Sequence, residues 1–169
     1  LWVMNSSTPK TIGSSKLGFF SKPILLTEGV HAGKVMKSYK FIKEKSICEE
    51  LIKIHAEYVP QLERAGIKIP KTEIEIVERS NRYSIRIYQH AFPAETMARK
   101  MMEVGDKEQC LMVMNGVLGG AITELNYLHN NPNEQMGFHP TLRNYAIQNG
   151  EFWYFDTFPP MANISQDEL

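Results

Sequence analysis

The stretch GFHPTLRNYAIQNGEFWYFDTFPPM, residues 137–161, decides how this chain is read. A loop ends at Asn144, a short β-prone run covers Tyr145 to Gln148, and Asn149-Gly150 forms a turn. An aromatic run from Glu151 to Phe155 follows, with Asp156 at its exit. An Asn-Gly pair between two apolar runs is a strong signal for a tight hairpin, because both residues tolerate positive φ. Such a hairpin brings its open ends, Asn144 and Asp156, close together. One amide oxygen beside one carboxylate makes a corner suited to a hard cation such as Mg²⁺. The plainer reading makes Asn144 the end of a loop and Asp156 the cap of a turn before Pro159-Pro160.

Working outward, 169 residues are enough for one domain or two small lobes with a real core. Apolar residues make up 43% and charged residues 22%, which is ordinary globular composition. Lys+Arg and Asp+Glu both number 19, so the chain lacks the basic footprint of a nucleic-acid or membrane-surface binder. No apolar run is long enough to span a bilayer. Cys48 and Cys110 are too few for a disulfide framework or a cysteine zinc site, so a reduced, cytoplasmic setting is expected. The start at Leu1 is read as that of a fragment, and Gln166–Leu169 as a chance likeness to a retention tail.

Before the deciding stretch, Gly13-Ser-Ser-Lys-Leu-Gly18 is read as a flexible or anion-covering turn, and not a P-loop. Strands are expected from Pro23 to Thr27 and from Lys34 to Phe41. In the second, Val35, Lys37, Tyr39 and Phe41 share a face, which sets Lys37 among apolar neighbours. A helix is expected from Ser46 to Tyr58, with Ser46 and Glu49 as a capping box. Its apolar stripe is Ile47, Leu51, Ile54 and Tyr58, Glu50 borders that stripe, and Pro60 ends or kinks the helix. Thr72–Glu78 and Tyr83–His90 read as an antiparallel pair around Ser80-Asn81. A Met-rich helix follows from Glu95 to Val104, then a longer one from Asp106 to His129. Asp106 is its candidate cap, and Leu111, Met114, Leu118, Ile122, Leu125 and Leu128 form its expected buried face. Gly116, Gly119 and Gly120 weaken a helix, so a neighbouring element is expected to approach them closely. The five histidines show no metal-ligand spacing.

A small sheet with one helix, a linker, a helical part and a loop–Asn–hairpin–Asp element is the order of the protein-kinase-like fold. The chain resembles its small-molecule branch, the aminoglycoside phosphotransferase and choline kinase type. The resemblance implies an α+β, two-lobed architecture: an N-terminal lobe over 1–90, a hinge at 91–95 and a partial C-terminal lobe over 96–169. It also implies ATP and Mg²⁺ as cofactors and a small-molecule hydroxyl as acceptor. Lys37, in Val35-Met36-Lys37, matches the strand lysine that orients the phosphates, and Glu50 its helix partner. Gln89, His90 and Ala91, in the linker Gln89 to Pro93, match the hinge that meets adenine. Asn144 and Asp156 match the metal pair. His139 stands five residues before Asn144, where the family has its base Asp. A neutral imidazole accepts a proton but carries no negative charge. Two functions are therefore expected as alternatives: a phosphotransferase, or a pseudokinase that binds nucleotide or a protein partner. Only 13 residues follow Asp156, where the family continues with more helices, so a cut or minimal member is expected. A third alternative is an unrelated α+β interaction domain.

Overall fold

The computed structural model describes residues 23–134 and 136–162. The Gly13–Gly18 turn and the Gln166–Leu169 tail lie outside them. The chain is α+β, with a four-stranded antiparallel sheet, three helices and a two-stranded hairpin among the described residues. Two compact units form: residues 1–48 with 71–91, and residues 49–70 with 92–169.

The first unit is built on β1 (Ile24–Leu25), β2 (Lys34–Ser38), β3 (Thr72–Arg79) and β4 (Arg82–His90). Their order is β1-β2-β4-β3, so β4 is central and pairs with β2 and β3. The β3–β4 turn is Ser80-Asn81 with φ of 51° and 56°, a tight left-handed turn made without glycine. Alternation puts Ile85, Ile87 and Gln89 on one face, and all three are buried. Opposite them in register stand Val35 and Lys37 on β2, and Thr72, Ile74 and Ile76 on β3. The other face is charged: Glu73 pairs with Lys34, and Glu75 with Arg86.

The second unit takes most of α1 (Lys45–Arg64), then α2 (Ala98–Val104), α3 (Lys107–Asn130), β5 (Tyr145–Gln148) and β6 (Glu151–Tyr154). Helix α1 runs through Pro60 to Arg64, where the sequence led us to expect a stop or kink. An interior proline costs about 3 kcal/mol. Buried Leu62 and Ala65 beyond it, in line with Tyr58, offset that cost. The core stripe is Cys48, His55, Tyr58 and Leu62; Ile47 and Glu50 are exposed, and Leu51 and Ile54 are half-buried. The helix starts at Lys45, which puts Ser46 inside the first turn.

Helix α3 carries the largest correction. Asp106 caps it and forms a reciprocal capping box with Gln109. Most of the face expected to be buried instead faces water: Leu111, Leu118, Ile122 and Leu125 are all more than half exposed, while Leu128 packs against the core. The buried side is Val113, Val117 and Glu124, with Gly116 and Gly120 on the same side. A Cβ on Gly116 would lie 2.0 Å from the Phe152 ring, and one on Gly120 would lie 2.9 Å from Tyr145 Oη. The glycines flatten the helix so that hairpin aromatics supply the bulk, a close packing that hydrophobic periodicity does not report. Gly119 has open space beside it and plays no such part.

The hairpin is held from both sides. Ala146 bridges Met97, Trp153 bridges Lys68, and the Tyr154 N–H donates to Lys68 O at 2.8 Å. Around it close Tyr58, Leu62, Ile67, Val113, Val117, Phe138, Tyr145 and Tyr154, the core of this unit.

Candidate functional site

The Asn-Gly turn forms with φ of 56° at Asn149 and 76° at Gly150. It sets the register Gln148↔Glu151 through Tyr145↔Tyr154. Pairing reaches one residue further, since the Phe155 N–H donates to Asn144 O at 3.0 Å. Asn144 and Asp156 therefore leave the same end of one hairpin.

The loop before Asn144 is closed on itself. The Thr141 N–H donates to His139 O at 2.7 Å, and the Asn144 N–H to Thr141 O at 2.9 Å. Asn144 Nδ2 donates to the same His139 carbonyl at 3.0 Å. That bond fixes the amide, engaging its nitrogen inside the loop and leaving Oδ1 as the acceptor. On the other side, the His139 N–H donates to Tyr154 Oη at 3.2 Å. The His139 backbone is thus clamped while its ring is exposed. Burial pushes the Tyr154 hydroxyl pKa upward, and the nearby Asp156 charge adds to the rise. Burial does the same at Tyr58, with the charges of Glu124 and then Asp156 adding. The Asp156 charge therefore acts on the hydroxyl that accepts from the His139 N–H. The fold thus closes His139 and Asn144 into one loop, and Asp156 follows the last hairpin pair, Asn144 with Phe155.

A model described as a family of unknown function (DUF6206) matches residues 3–169. The chain belongs to that family. No curated protein matches its sequence. Among the described residues of this DUF6206 member, no helix is long and apolar enough to cross a membrane.

The donors at the loop fit a magnesium ion. Mg²⁺ takes hard oxygen ligands, keeps several waters and needs only one or two carboxylates when phosphates complete its shell. Asn144 Oδ1 and the half-buried Asp156 carboxylate are such donors. No group of three or more His, Cys, Asp or Glu that could hold a metal ion gathers among the described residues.

The remaining expected site residues are placed as follows. Lys37 lies on β2 in the first unit, opposite Ile87, and its Nζ donates to Gln89 Oε1 at 3.1 Å. Gln89 Nε2 in turn donates to Thr72 Oγ1 at 3.1 Å. Gln89 and His90 are the last residues of β4, and the Ala91 N–H donates to Gly33 O at 3.3 Å. Glu50 is exposed on α1, in the part of that helix belonging to the second unit.

Sequence reasoning missed a buried polar layer beneath the loop. His55 Nε2 lies 3.0 Å from Thr157 Oγ1, and the Tyr58 hydroxyl donates to Gly137 O at 2.5 Å. Burial pulls the His55 pKa down to about 4. Glu124 is buried, and desolvation raises its pKa above the usual carboxylate range. One signal for Glu124 was available: it is the only charged residue between Glu108 and Glu134. A lone charge in an apolar helix sits either at solvent or at a site.

Proposed function

We propose that this chain is a Mg²⁺- and ATP-binding domain of the protein-kinase-like fold that transfers the γ-phosphate to a small-molecule hydroxyl. The observation that carries the reading is the closed His139–Asn144 loop, with Asn144 and Asp156 leaving the same hairpin end. The antiparallel sheet bearing Lys37 on its apolar face supports it.

The chemistry assigns a role to each residue. Phosphoryl transfer is mostly positioning and charge neutralisation. Asn144 Oδ1 and Asp156 would hold the ion, which when bound would neutralise phosphate charge. His139 takes the base position: its backbone is fixed while its exposed ring is available to accept the acceptor's proton.

Titration of ATP with and without Mg²⁺ tests the reading. Wild-type protein binds ATP in a Mg²⁺-dependent manner, and Asp156→Ala weakens binding at least about tenfold, the loss of one charged ligand. Absence of binding, or equal affinity in Asp156→Ala, sinks the proposal. The replacement of a carboxylate by His139 favours one second reading, a nucleotide-binding pseudokinase. Mg-ATP binding without phosphorylation of any acceptor selects it, whereas product that disappears in His139→Ala removes it.

A further inference from the structure

Helix α3 sets a row of apolar side chains in water, and the spacing of that row has a symmetry of its own. Leu111, Met114, Leu118, Ile122 and Leu125 are each between 40% and 64% exposed. Steps of three and four residues keep all five on one side of a helix. The steps run three, four, four, three, so the row reads alike from either end, with Leu118 at its centre. Val113, Val117 and Glu124 turn to the core, and the row is the face that the fold itself leaves uncovered.

Symmetry, charge and area each bear on what covers this face. A two-fold axis at Leu118, across an antiparallel pair of α3 helices, sets Leu118 against its own copy. The same axis sets Leu111 against Leu125 and Met114 against Ile122. An isologous contact needs a patch that is its own complement, and this row is one. A two-fold axis also brings like residues together, so a charge in the row would meet itself. Glu124 is the only charged residue between Glu108 and Glu134, and it is buried on the core side. The same lack of charge disfavours a nucleic acid or a membrane surface, which are met by Lys and Arg. The five side chains present on the order of 500 Å² of apolar surface per copy. Two such faces with their rims reach roughly the 1,200 Å² at which specific interfaces begin.

We propose that this face binds a second copy of the chain, α3 packing antiparallel on α3 about a two-fold axis at Leu118. Side chains three and four residues apart interdigitate at a shallow crossing of about 20°. From Leu111 to Leu125 the seam is about 21 Å long, at about 1.5 Å of rise per residue. Its modest area makes the association weak, with a Kd on the order of 10–100 μM, so single chains predominate in dilute solution. The inference does not rest on nucleotide binding.

Sedimentation velocity on the full chain, over concentrations that bracket that Kd, tests the pairing. Wild-type protein moves from monomer to dimer mass across the range. Leu118→Glu and Leu118→Lys, at an exposed position where far-UV circular dichroism checks that the fold is kept, each set like charges on the axis. Each weakens self-association at least about tenfold. An equimolar mixture of the two variants sets opposite charges on the axis and restores the dimer. Wild-type protein that stays monomeric throughout overturns the proposal and gives the face to another occupant, a different helix or a lipid surface. A dimer that neither variant weakens overturns it too, because the contact then lies elsewhere. So does a mixture that stays monomeric, because Leu118 then does not meet its own copy.

Discussion

His55 shows how much a single residue depends on its surroundings. Its imidazole is buried against Thr157 and held neutral, with a pKa pulled down to about 4 by desolvation. The folded value lies below the ordinary one, so the unfolded chain takes up the proton first. Stability is therefore complete above the ordinary histidine pKa and declines as pH falls towards 4. Between pH 7.5 and pH 4.5 this group removes roughly 2–3 kcal/mol of stability. Urea midpoints at the two pH values measure it, and His55→Gln should lose that part of the difference. An unchanged pH response in the variant would show that His55 does not titrate as described. Nothing in the sequence distinguishes His55 from the other four histidines, because its burial follows from which side of α1 meets the core. Asn144 and Asp156 differ in this respect. Their proximity follows from a two-residue turn, so it was readable before any tertiary contact was known.

At the scale of the element, α3 supplies two paired tests. Gly116→Ala forces a methyl into the Phe152 ring and should destabilise by about 1–3 kcal/mol, overpacking outweighing helix propensity. Gly119→Ala meets open space and should stabilise by up to about 1 kcal/mol. Thermal melts of the two variants moving in the same direction would contradict the packing. The inverted face gives the second pair. Leu118→Gln should change stability by no more than about 0.5 kcal/mol, as an exposed site does. Val117→Ala, one residue away and buried, should cost about 2 kcal/mol through the cavity it leaves. The helix itself, its Asp106 cap and the close approach at Gly116 and Gly120, though not at Gly119, follow from the sequence. Which face turns inward does not, because both are apolar enough. The choice went to the side whose glycines admit Phe152 and Tyr145, and the Leu stripe up to Leu125 was left in water. Pro60 teaches the same lesson in α1, where burial of Leu62 and Ala65 carried the helix past a residue that locally favours a stop.

For the whole molecule, balanced charge has a measurable consequence. With 19 acidic and 19 basic side chains and a sequence pI near 7.1, solubility should be lowest close to neutral pH. The exposed Leu111, Leu118, Ile122 and Leu125 add apolar surface to that tendency. Precipitation by polyethylene glycol across pH 6 to 9 tests it, and Leu118→Glu with Leu125→Glu should raise solubility at pH 7. A pH-independent precipitation point would refute the charge argument. The two units are discontinuous, since the chain leaves the first at Cys48 and returns to it from Lys71 to Ala91. Alternation and turn chemistry act over a few residues, so the sequence by itself determined the α+β class, the β3–β4 pair, the β5–β6 hairpin and the helix cap. The placement of α1 from Glu49 onward in the second unit, the buried face of α3 and the closed His139 loop were decided by tertiary structure. Each depends on surfaces distant in sequence competing for the same contact, and no local pattern records the outcome of that competition.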